Sequence, residues 1–253
     1  MTTLNVLTYG FALLTDQGNL GYSTVALLEV GDRRILIDTG PAARRMWLFK
    51  ALADRGLGVE DIDTLILTHM HWDHCQNADL FGNARVLVHP KEIDYAYDPN
   101  PADVNSASYF ADMLKKLRVD PVSDGDTVVE GVSIIDTPGH TMGHISVLAE
   151  IDGEKVLIAG DALPDGGTVR RRLPYNVFWD VDDARSSVEK MVASSKIFYP
   201  GHDRPFKVEG EEITYLHGPE NIQVLDSTEG GGTASLTFTV SAKRAVNVDI
   251  VQK

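Results

Sequence analysis

The sequence has a single cysteine, an excess of acidic residues and no long hydrophobic run. Cys75 cannot form a disulfide within the chain, so we expect a reducing compartment and a fold stabilised by packing or metal. No apolar run approaches the roughly 18 residues that cross a bilayer, and residues 1–5 lack the basic start of an export signal. We therefore expect a cytoplasmic protein with no membrane partner.

The charge balance argues against a nucleic-acid partner. The 253 residues include 23 Lys and Arg against 37 Asp and Glu, giving a formal net charge of −14. Phosphate backbones bind clustered positive charge, which this balance disfavours. A hydrophobic content of 43% is ordinary for a globular protein, so small molecules are the expected ligands.

Short apolar runs alternate with segments of helical periodicity, which predicts a layered α/β architecture. Helices are predicted at residues 41–57, 109–117 and 182–195. Strands are predicted at residues 25–30, 34–38, 64–68, 85–89, 127–129, 132–136, 145–150, 155–159 and 197–199. The segment 94–119 begins irregularly and is the predicted lid.

The C-terminal part of the sequence has a different pattern. Apolar residues alternate with polar ones at 236–241 and again at 246–250, which predicts a β-hairpin after the glycine run at 230–232. We therefore expect a catalytic domain at 1–205 and a β-rich C-terminal extension at 206–253 that packs on it. The exposed edge of such an extension could pair two copies, so a homodimer is one expected state.

Four potential metal ligands are compressed into residues 69–74, directly after a predicted strand. They are His69, His71, Asp73 and His74. Imidazole and carboxylate groups at the end of a buried strand need a partner that offsets their desolvation, and a metal ion supplies one. Both groups are zinc ligands. Their spacing lets His69 and His71 reach one ion while Asp73 and His74 turn toward a second.

Three later elements each follow a predicted strand and carry a glycine beside a potential ligand. These ligands are His140 after Gly139, Asp161 after Gly160, and His202 after Gly201. Glycine lets the backbone turn sharply and present the neighbouring side chain at the edge of a sheet. Each element is a weak signal alone, but their occurrence in this order after the first cluster is a strong one.

These elements, with Asp38-Thr39-Gly40 before them, resemble the metallo-β-lactamase superfamily. The resemblance covers roughly residues 20–204, and its blocks occur in the family's order. It implies an α/β fold, a four-layer αββα sandwich, with a dinuclear metal site between the sheet edges.

The resemblance also implies a role for each residue. The first metal ion would be held by His69, His71 and His140. The second would be held by Asp73, His74 and His202. Asp161 would bridge the two ions, Asp38 would orient a ligand, and His144 would form structural hydrogen bonds. Cys75 faces away from His74 on the predicted helix, so we do not expect it to be a ligand.

The expected chemistry is carbonyl hydrolysis without a protein nucleophile. Two zinc ions, with iron or manganese as alternatives, would share a water whose pKa falls from 15.7 to about 7, and the hydroxide would attack the carbonyl. No Gly-x-Ser-x-Gly motif offers a serine nucleophile instead. Asp73 is the predicted proton shuttle to the leaving group. Tyr175 is a candidate catalytic residue in the loop after Asp161.

Departures from the other branches of the family favour its lactonase-like members. Secreted β-lactamases carry an export signal and commonly a cysteine where Asp161 stands, and flavin-linked di-iron oxygen reductases usually carry glutamate where His71 stands. Nuclease branches append basic surfaces, which this acidic chain lacks. The lactonase-like members place a tyrosine shortly after the bridging aspartate, a position at which this chain has 162–164 Ala-Leu-Pro, so Tyr175 would have to substitute.

Two other activities stay open. The alternative hydrolase is a thioesterase resembling glyoxalase II, although the helical tail that binds glutathione in such enzymes is missing here, where the tail has a β pattern. A mononuclear-iron sulfur dioxygenase uses the same scaffold with fewer metal contacts. Two zinc equivalents per chain would favour hydrolysis of a small-molecule ester or lactone, whereas one tightly held iron would favour oxidation.

Overall fold

The computed structural model describes residues 2–15, 18–210, 212–225 and 233–238. The strands are β1 (Thr2–Thr8), β2 (Leu14–Thr15), β3 (Gly18–Asn19), β4 (Val25–Val30), β5 (Arg33–Ile37), β6 (Thr64–Ile66), β7 (Arg85–Val88), β8 (Arg118–Pro121), β9 (Thr127–Val129), β10 (Val132–Asp136), β11 (Ile145–Ile151), β12 (Glu154–Gly160), β13 (Ile197–Pro200), β14 (Phe206–Glu209), β15 (Glu212–Tyr215), β16 (Glu220–Leu225) and β17 (Thr233–Phe238). The α-helices are α1 (Arg45–Ala53), α2 (Trp72–Cys75), α3 (Pro90–Tyr97), α4 (Ser108–Leu114), α5 (Gly166–Arg171) and α6 (Val181–Ser194).

Two mixed sheets contain most of these strands. The first sheet has the order β1-β4-β5-β6-β7-β8, and the second has the order β15-β14-β13-β12-β11-β10-β9. Strands β5 to β8 run parallel to one another, as do β12 and β13. Parallel neighbours need crossover connections, and the helices α1, α3, α4, α5 and α6 lie in those connections.

Alternate residues of the strands pack on opposite faces of each sheet. Ala26 and Leu28 of β4 belong to the core between the two sheets, whereas Leu27 belongs to the core beneath the helices of the first sheet. Because both faces of the sheet are covered, its strands are expected to be nearly continuous apolar runs, and β4 has such a run in the sequence.

The helices cover the outer face of each sheet. Leu52 of α1 and Phe110 of α4 pack on the first sheet, and Val188 and Met191 of α6 pack on the second. The four layers are therefore helix, sheet, sheet and helix, and the predicted αββα sandwich is confirmed. None of the helices in the described part of the chain is long and apolar enough to cross a bilayer.

Two of the differences from the sequence-based expectations concern the N-terminal part of the chain. The helix predicted at 41–57 is present as a 3-10 turn and the shorter helix α1, in which Met46 is 76% exposed while Leu48 is buried. Strand β1 was not predicted, because only two of its seven residues are buried and its sequence is largely polar.

The C-terminal strands divide into two groups. Strands β14 and β15 extend the second sheet beyond β13, and β16 pairs with β17, with Ile222 opposite Leu236. The glycine run at 230–232 and the second predicted hairpin strand at 246–250 lie outside the described residues. The boundary between a catalytic domain at 1–205 and an extension at 206–253 stays a prediction.

Candidate metal centre

The predicted ligands converge at one edge of the sandwich because each follows the end of a strand. His69 and His71 lie in the loop after β6, and the short helix α2 carries Asp73 and His74. His140 lies between β10 and β11, Asp161 directly follows β12, and His202 follows β13. Functional side chains commonly gather where strands end in this way.

The structure brings these residues together as two groups of potential ligands. The first group is His69, His71, His140 and Asp161, and the second group is Asp73, His74 and His202. Within each group the ligand atoms lie within 4.8 Å of one another, and every member is buried. The carboxylate of Asp161 joins the groups, because Oδ1 lies 3.3 Å from His74 Nε2 and Oδ2 lies 3.5 Å from His140 Nε2.

Each of the five histidines is hydrogen-bonded through one ring nitrogen to a group outside the centre. These bonds join His69 Nδ1 to Thr68 Oγ1 (3.0 Å), His71 Nε2 to Asp103 Oδ2 (3.0 Å), His74 Nδ1 to Asp38 Oδ2 (2.8 Å), His140 Nδ1 to the Asn176 carbonyl (2.9 Å) and His202 Nδ1 to the Tyr22 carbonyl (3.0 Å). With an acceptor on that side, the outer nitrogen carries the proton and the inner nitrogen presents a lone pair. All five rings therefore turn a nitrogen that could bind a metal ion toward the centre.

Three buried polar atoms at the centre test whether a cation fits. His69 Nε2, His74 Nε2 and Asp161 Oδ1 have no hydrogen-bond partner. Buried polar atoms without partners are costly and uncommon, and a cation at each of the two ligand groups would satisfy all three. Imidazole nitrogens and carboxylate oxygens are the ligands that divalent zinc and similar metals prefer. The residues present therefore fit a divalent metal.

The electrostatics of the centre follow from its carboxylates. Burial lowers the pKa of His74, but Asp161 and Asp73 outweigh that effect and hold it well above its usual value. Burial raises the pKa of Asp161, but His202 and His74 outweigh that effect and hold it well below its usual value. In the absence of metal, the raised pKa of His74 favours its protonated form. Metal binding must release such protons.

Asp38 is held rigidly beneath His74. Its φ of 58° is in the left-handed region, which aspartate adopts more readily than most residues. Its two carboxylate oxygens accept hydrogen bonds from the backbone N–H and the hydroxyl of Thr68, both at 2.8 Å. Asp38 therefore fixes the ring of His74 to the end of the first sheet, as the family resemblance implied.

His144 and Cys75 lie beside the centre without facing it. His144 Nδ1 bonds to Thr137 Oγ1, and its Nε2 accepts the backbone N–H groups of Asp161 and Ala162. The Cys75 thiol is 3.6 Å from the Met70 carbonyl, and burial raises the pKa of the thiol well above its usual value. The geometry gives both residues structural contacts.

A cleft of about 200 Å³ opens onto the centre. It is lined by Ala12, Leu13, Asn19, Gly21, His71, Trp72, Asp73, Asn105, His140, Asp161, Tyr175, Asn176 and His202. The structure thus places Tyr175 at the same cleft as Asp73. The lining mixes apolar side chains with amides, which suits a small, partly apolar ligand.

Sequence reasoning missed Asp103 and misplaced the start of the predicted lid. Helix α3 continues to Tyr97, so the irregular part is 98–107. In that loop Asp103 binds His71, and Asn105 accepts a hydrogen bond from the Trp72 indole at 3.2 Å. An isolated aspartate carries no local motif, and its partner lies about thirty residues away, so no sequence signal identified it.

Comparison with known proteins identifies the class. Residues 18–202 match the model of the metallo-beta-lactamase superfamily, and the chain belongs to that family. A "probable metallo-hydrolase" of Methanocaldococcus jannaschii is 32% identical over 192 residues, which cover 72% of this chain and 88% of that protein. Together with the ligand groups, this relationship supports a metal-dependent hydrolase.

Lactonases are among the similar proteins. An N-acyl homoserine lactonase of a Bacillus species is 29% identical over 154 residues, covering 58% of each chain. The structure of a Bacillus thuringiensis AiiA variant with N-decanoyl-L-homoserine bound at its active site has a TM-score of 0.67, with 23% identity, 79% of this chain and 92% of that chain covered. The structural likeness establishes the shared fold.

Proposed function

We propose that this protein is a zinc-dependent hydrolase that uses two ions to cleave a lactone or ester bond of a small molecule. The observation that carries the proposal is the junction of the two ligand groups at Asp161, whose oxygens face histidines of both. The first ion would be held by His69, His71 and His140, the second by Asp73, His74 and His202, and both by Asp161. When bound, such a pair supplies Lewis acidity and lowers the pKa of water toward neutrality.

Asp73 is the proposed proton carrier. Its Oδ2 atom lies 3.3 Å from His202 Nε2, and its side chain lines the cleft. The carboxylate can therefore hold a proton taken from water and deliver it to the leaving oxygen. Asp73→Asn keeps an oxygen that can bind zinc but cannot carry the proton, so we expect kcat measured at saturating zinc to fall by about 10²-fold or more. Near-native turnover with both ions bound would contradict this role.

Tyr175 is the proposed hydrogen-bond donor to the substrate. It lines the same cleft beside Asn176, so a substrate bound in the cleft would lie next to it. Tyr175→Phe removes only the phenol hydroxyl. If the phenol stabilises the developing charge, kcat falls while zinc content and the melting temperature stay unchanged.

The cleft favours an uncharged substrate. Among its described lining residues none is lysine or arginine, and its amides come from Asn19, Asn105 and Asn176. Glutathione thioesters carry carboxylates that such a lining leaves unpaired, whereas lactones and simple esters need only neutral hydrogen-bond partners. The similarity to N-acyl homoserine lactonases supports the same choice.

The decisive experiment measures metal content and substrate range together. Metal content and oxygen consumption are measured on the protein as purified, and chelated protein is then reloaded with zinc and assayed against lactones, aryl esters and glutathione thioesters. We expect two zinc ions per chain and fastest turnover of the uncharged lactones or esters. One tightly held iron with oxygen uptake would reject the proposal in favour of a dioxygenase. Size-exclusion chromatography of the same material tests the proposed homodimer.

A further inference from the structure

Glu92 is a fully buried acidic residue that the proposed chemistry does not use. It lies in the first turn of α3 and has no exposed surface. A buried side chain of this kind cannot touch a substrate, and burying a carboxylate is expensive unless specific groups compensate for the lost water. Its position therefore needs an explanation.

The carboxylate of Glu92 bonds to two loops at once. Oε1 accepts the backbone N–H of Met70 at 2.9 Å, and Oε2 accepts the backbone N–H of Gly143 at 2.9 Å. Neither N–H belongs to a strand ladder or a helix. One side chain therefore satisfies two buried backbone donors that would otherwise lack a partner.

Both loops carry ligands of the first group. Met70 stands between His69 and His71, on the loop that follows the first sheet, and Gly143 stands three residues after His140, on a loop of the second sheet. The ligands from the two loops meet at the centre, where His71 Nδ1 and His140 Nε2 are 3.1 Å apart. The carboxylate of Glu92 thus joins the two loops whose separation sets this distance.

The close packing of Gly143 on α3 leaves the carboxylate little freedom. A Cβ atom on residue 143 would lie 2.2 Å from the backbone nitrogen of Glu92, so only glycine permits this approach. The loop therefore lies directly against the first turn of the helix. Burial raises the pKa of Glu92, although the hydrogen bonds from the backbone N–H groups of Met70 and Gly143 oppose that effect.

We propose that Glu92 is a positioning residue that sets the geometry of the first ligand group by joining the loops of His71 and His140. This inference rests on the proposed metal centre. It differs from a general packing role because a packing residue would stabilise the metal-free and metal-bound protein equally. A positioning residue changes the affinity for the metal itself.

The test is zinc binding by Glu92→Gln. Glutamine keeps the volume and one acceptor oxygen, but its amide nitrogen is a donor that faces a second donor, so one of the two loops loses its hydrogen bond. We expect the ion of the first group to bind about 10- to 100-fold more weakly, measured by competition with a chromophoric zinc chelator, while the second ion is unaffected. The visible spectrum of the cobalt-substituted protein should change for one of two ions only.

Asp94→Asn is the matched control, since it removes the same charge from an exposed position on the same helix. It should leave both affinities unchanged. Glu92→Asp keeps both acceptor oxygens on a shorter stem, so its affinity should lie between those of the wild type and Glu92→Gln. The rise in melting temperature on adding zinc should shrink in the same order.

The outcomes separate this inference from the proposed function. If wild-type protein does not bind two zinc ions, the proposed metal centre fails. If the wild type binds two ions and Glu92→Gln binds each of them as tightly as the wild type does, Glu92 is only a packing residue and the inference is wrong. A loss of melting temperature that is the same with and without zinc would overturn it as well.

Discussion

The two halves of the proposed metal centre are oriented by carboxylates from different parts of the fold. Asp38, behind His74, follows β5 and is bonded to Thr68 at the end of the neighbouring strand β6. Asp103, behind His71, lies in the loop 98–107 between two helices, where its Oδ2 accepts hydrogen bonds from Tyr95 and Ser106, both at 3.0 Å. One ligand is tied to a sheet, and the other is tied to a loop.

Because the two supports differ, one half of the centre is expected to affect only metal binding, and the other half is expected to affect substrate binding as well. The sheet half, His74 with Asp38, is bonded to residues that closely follow β5 and β6. The loop half, His71 with Asp103, is bonded to the loop 98–107, and the same loop carries Asn105, which lines the cleft and accepts a hydrogen bond from the Trp72 indole. The substrate-facing segment and the support of His71 are therefore one element. We expect changes in the sheet half to act on metal affinity, and changes in the loop half to act on metal affinity and KM together.

The largest effect is expected where the two halves join. Asp161→Asn removes one shared negative charge from histidines of both groups. Loss of a residue that only orients a ligand costs up to about 100-fold in metal affinity, so loss of the shared ligand should exceed that figure. Zinc analysis and kcat measured on the same sample check this. Retention of two ions at wild-type affinity would show that the halves are independent.

The next largest effect is expected from Asp38→Asn. Asparagine also tolerates a φ of 58°, so the backbone stays unstrained while the charge behind His74 is lost. We expect the second ion to bind about 100-fold more weakly. The protein molecules that still hold both ions should have an unchanged KM. Zinc competition titrations and steady-state kinetics measure the two quantities. A change confined to KM would contradict the assignment of Asp38 to the metal half.

Asp103→Asn should have a smaller effect on metal and a larger effect on substrate. The loop keeps its other contacts, so we expect about 10-fold weaker binding of the first ion, together with a rise in KM. Asp112→Asn, which removes an exposed charge from α4, is the matched control. If Asp103→Asn weakens zinc binding more than Asp38→Asn does, the contrast between loop and sheet is wrong.

The metal-free protein should be most stable near the ordinary imidazole pKa of about 6.5. Burial lowers the pKa of His69 and of His144, and lowers that of His140 to about 4, so stability is lost as pH falls and the unfolded chain takes up protons. Carboxylates overcome burial to raise the pKa of His74 and of His202, so stability is lost as pH rises through those values.

Zinc should reverse the alkaline part of this dependence, because its ligands must be deprotonated to bind. Urea unfolding between pH 5 and 9, with chelator and with zinc, measures both curves. Parallel curves in the two conditions would show that the ligand histidines do not exchange protons for metal. Asp38→Asn should flatten the alkaline loss in the metal-free protein, because Asp38 is one of the carboxylates that raise the pKa of His74.

The sequence predicted the layers, and it singled out the side chains that the fold brings together as candidate ligands, because both depend on local patterns. Buried strands are continuous apolar runs, and each ligand directly follows such a run, as His69 follows β6 and Asp161 follows β12. A family resemblance added the order of the blocks. Each of these signals spans only a few consecutive residues, so it can be recognised without knowing how distant parts of the chain fold.

What the sequence could not predict depends on contacts between distant segments. Both faces of α1 carry large apolar residues, so periodicity alone could not show that Met46 is exposed and Leu48 buried. Asp103 and Glu92 are single acidic residues in segments with no motif, and only the folded chain brings them to His71 and Gly143. The residues that hydrogen-bond to the candidate ligands are determined by tertiary contacts, whereas the candidate ligands themselves follow the ends of strands and can be recognised in the sequence.

The smallest effect is expected from Cys75→Ala, which tests whether neighbours in sequence matter as much as neighbours in space. Cys75 adjoins His74 in the chain, yet its thiol contacts the Met70 carbonyl and lies in the core beneath the first sheet. Removing one buried atom should cost about 1 kcal/mol of unfolding free energy, measured by urea titration, and leave both zinc affinities unchanged. If zinc were lost, a thiolate would belong to the centre, and the division of the ligands between sheet and loop would have to be redrawn around it.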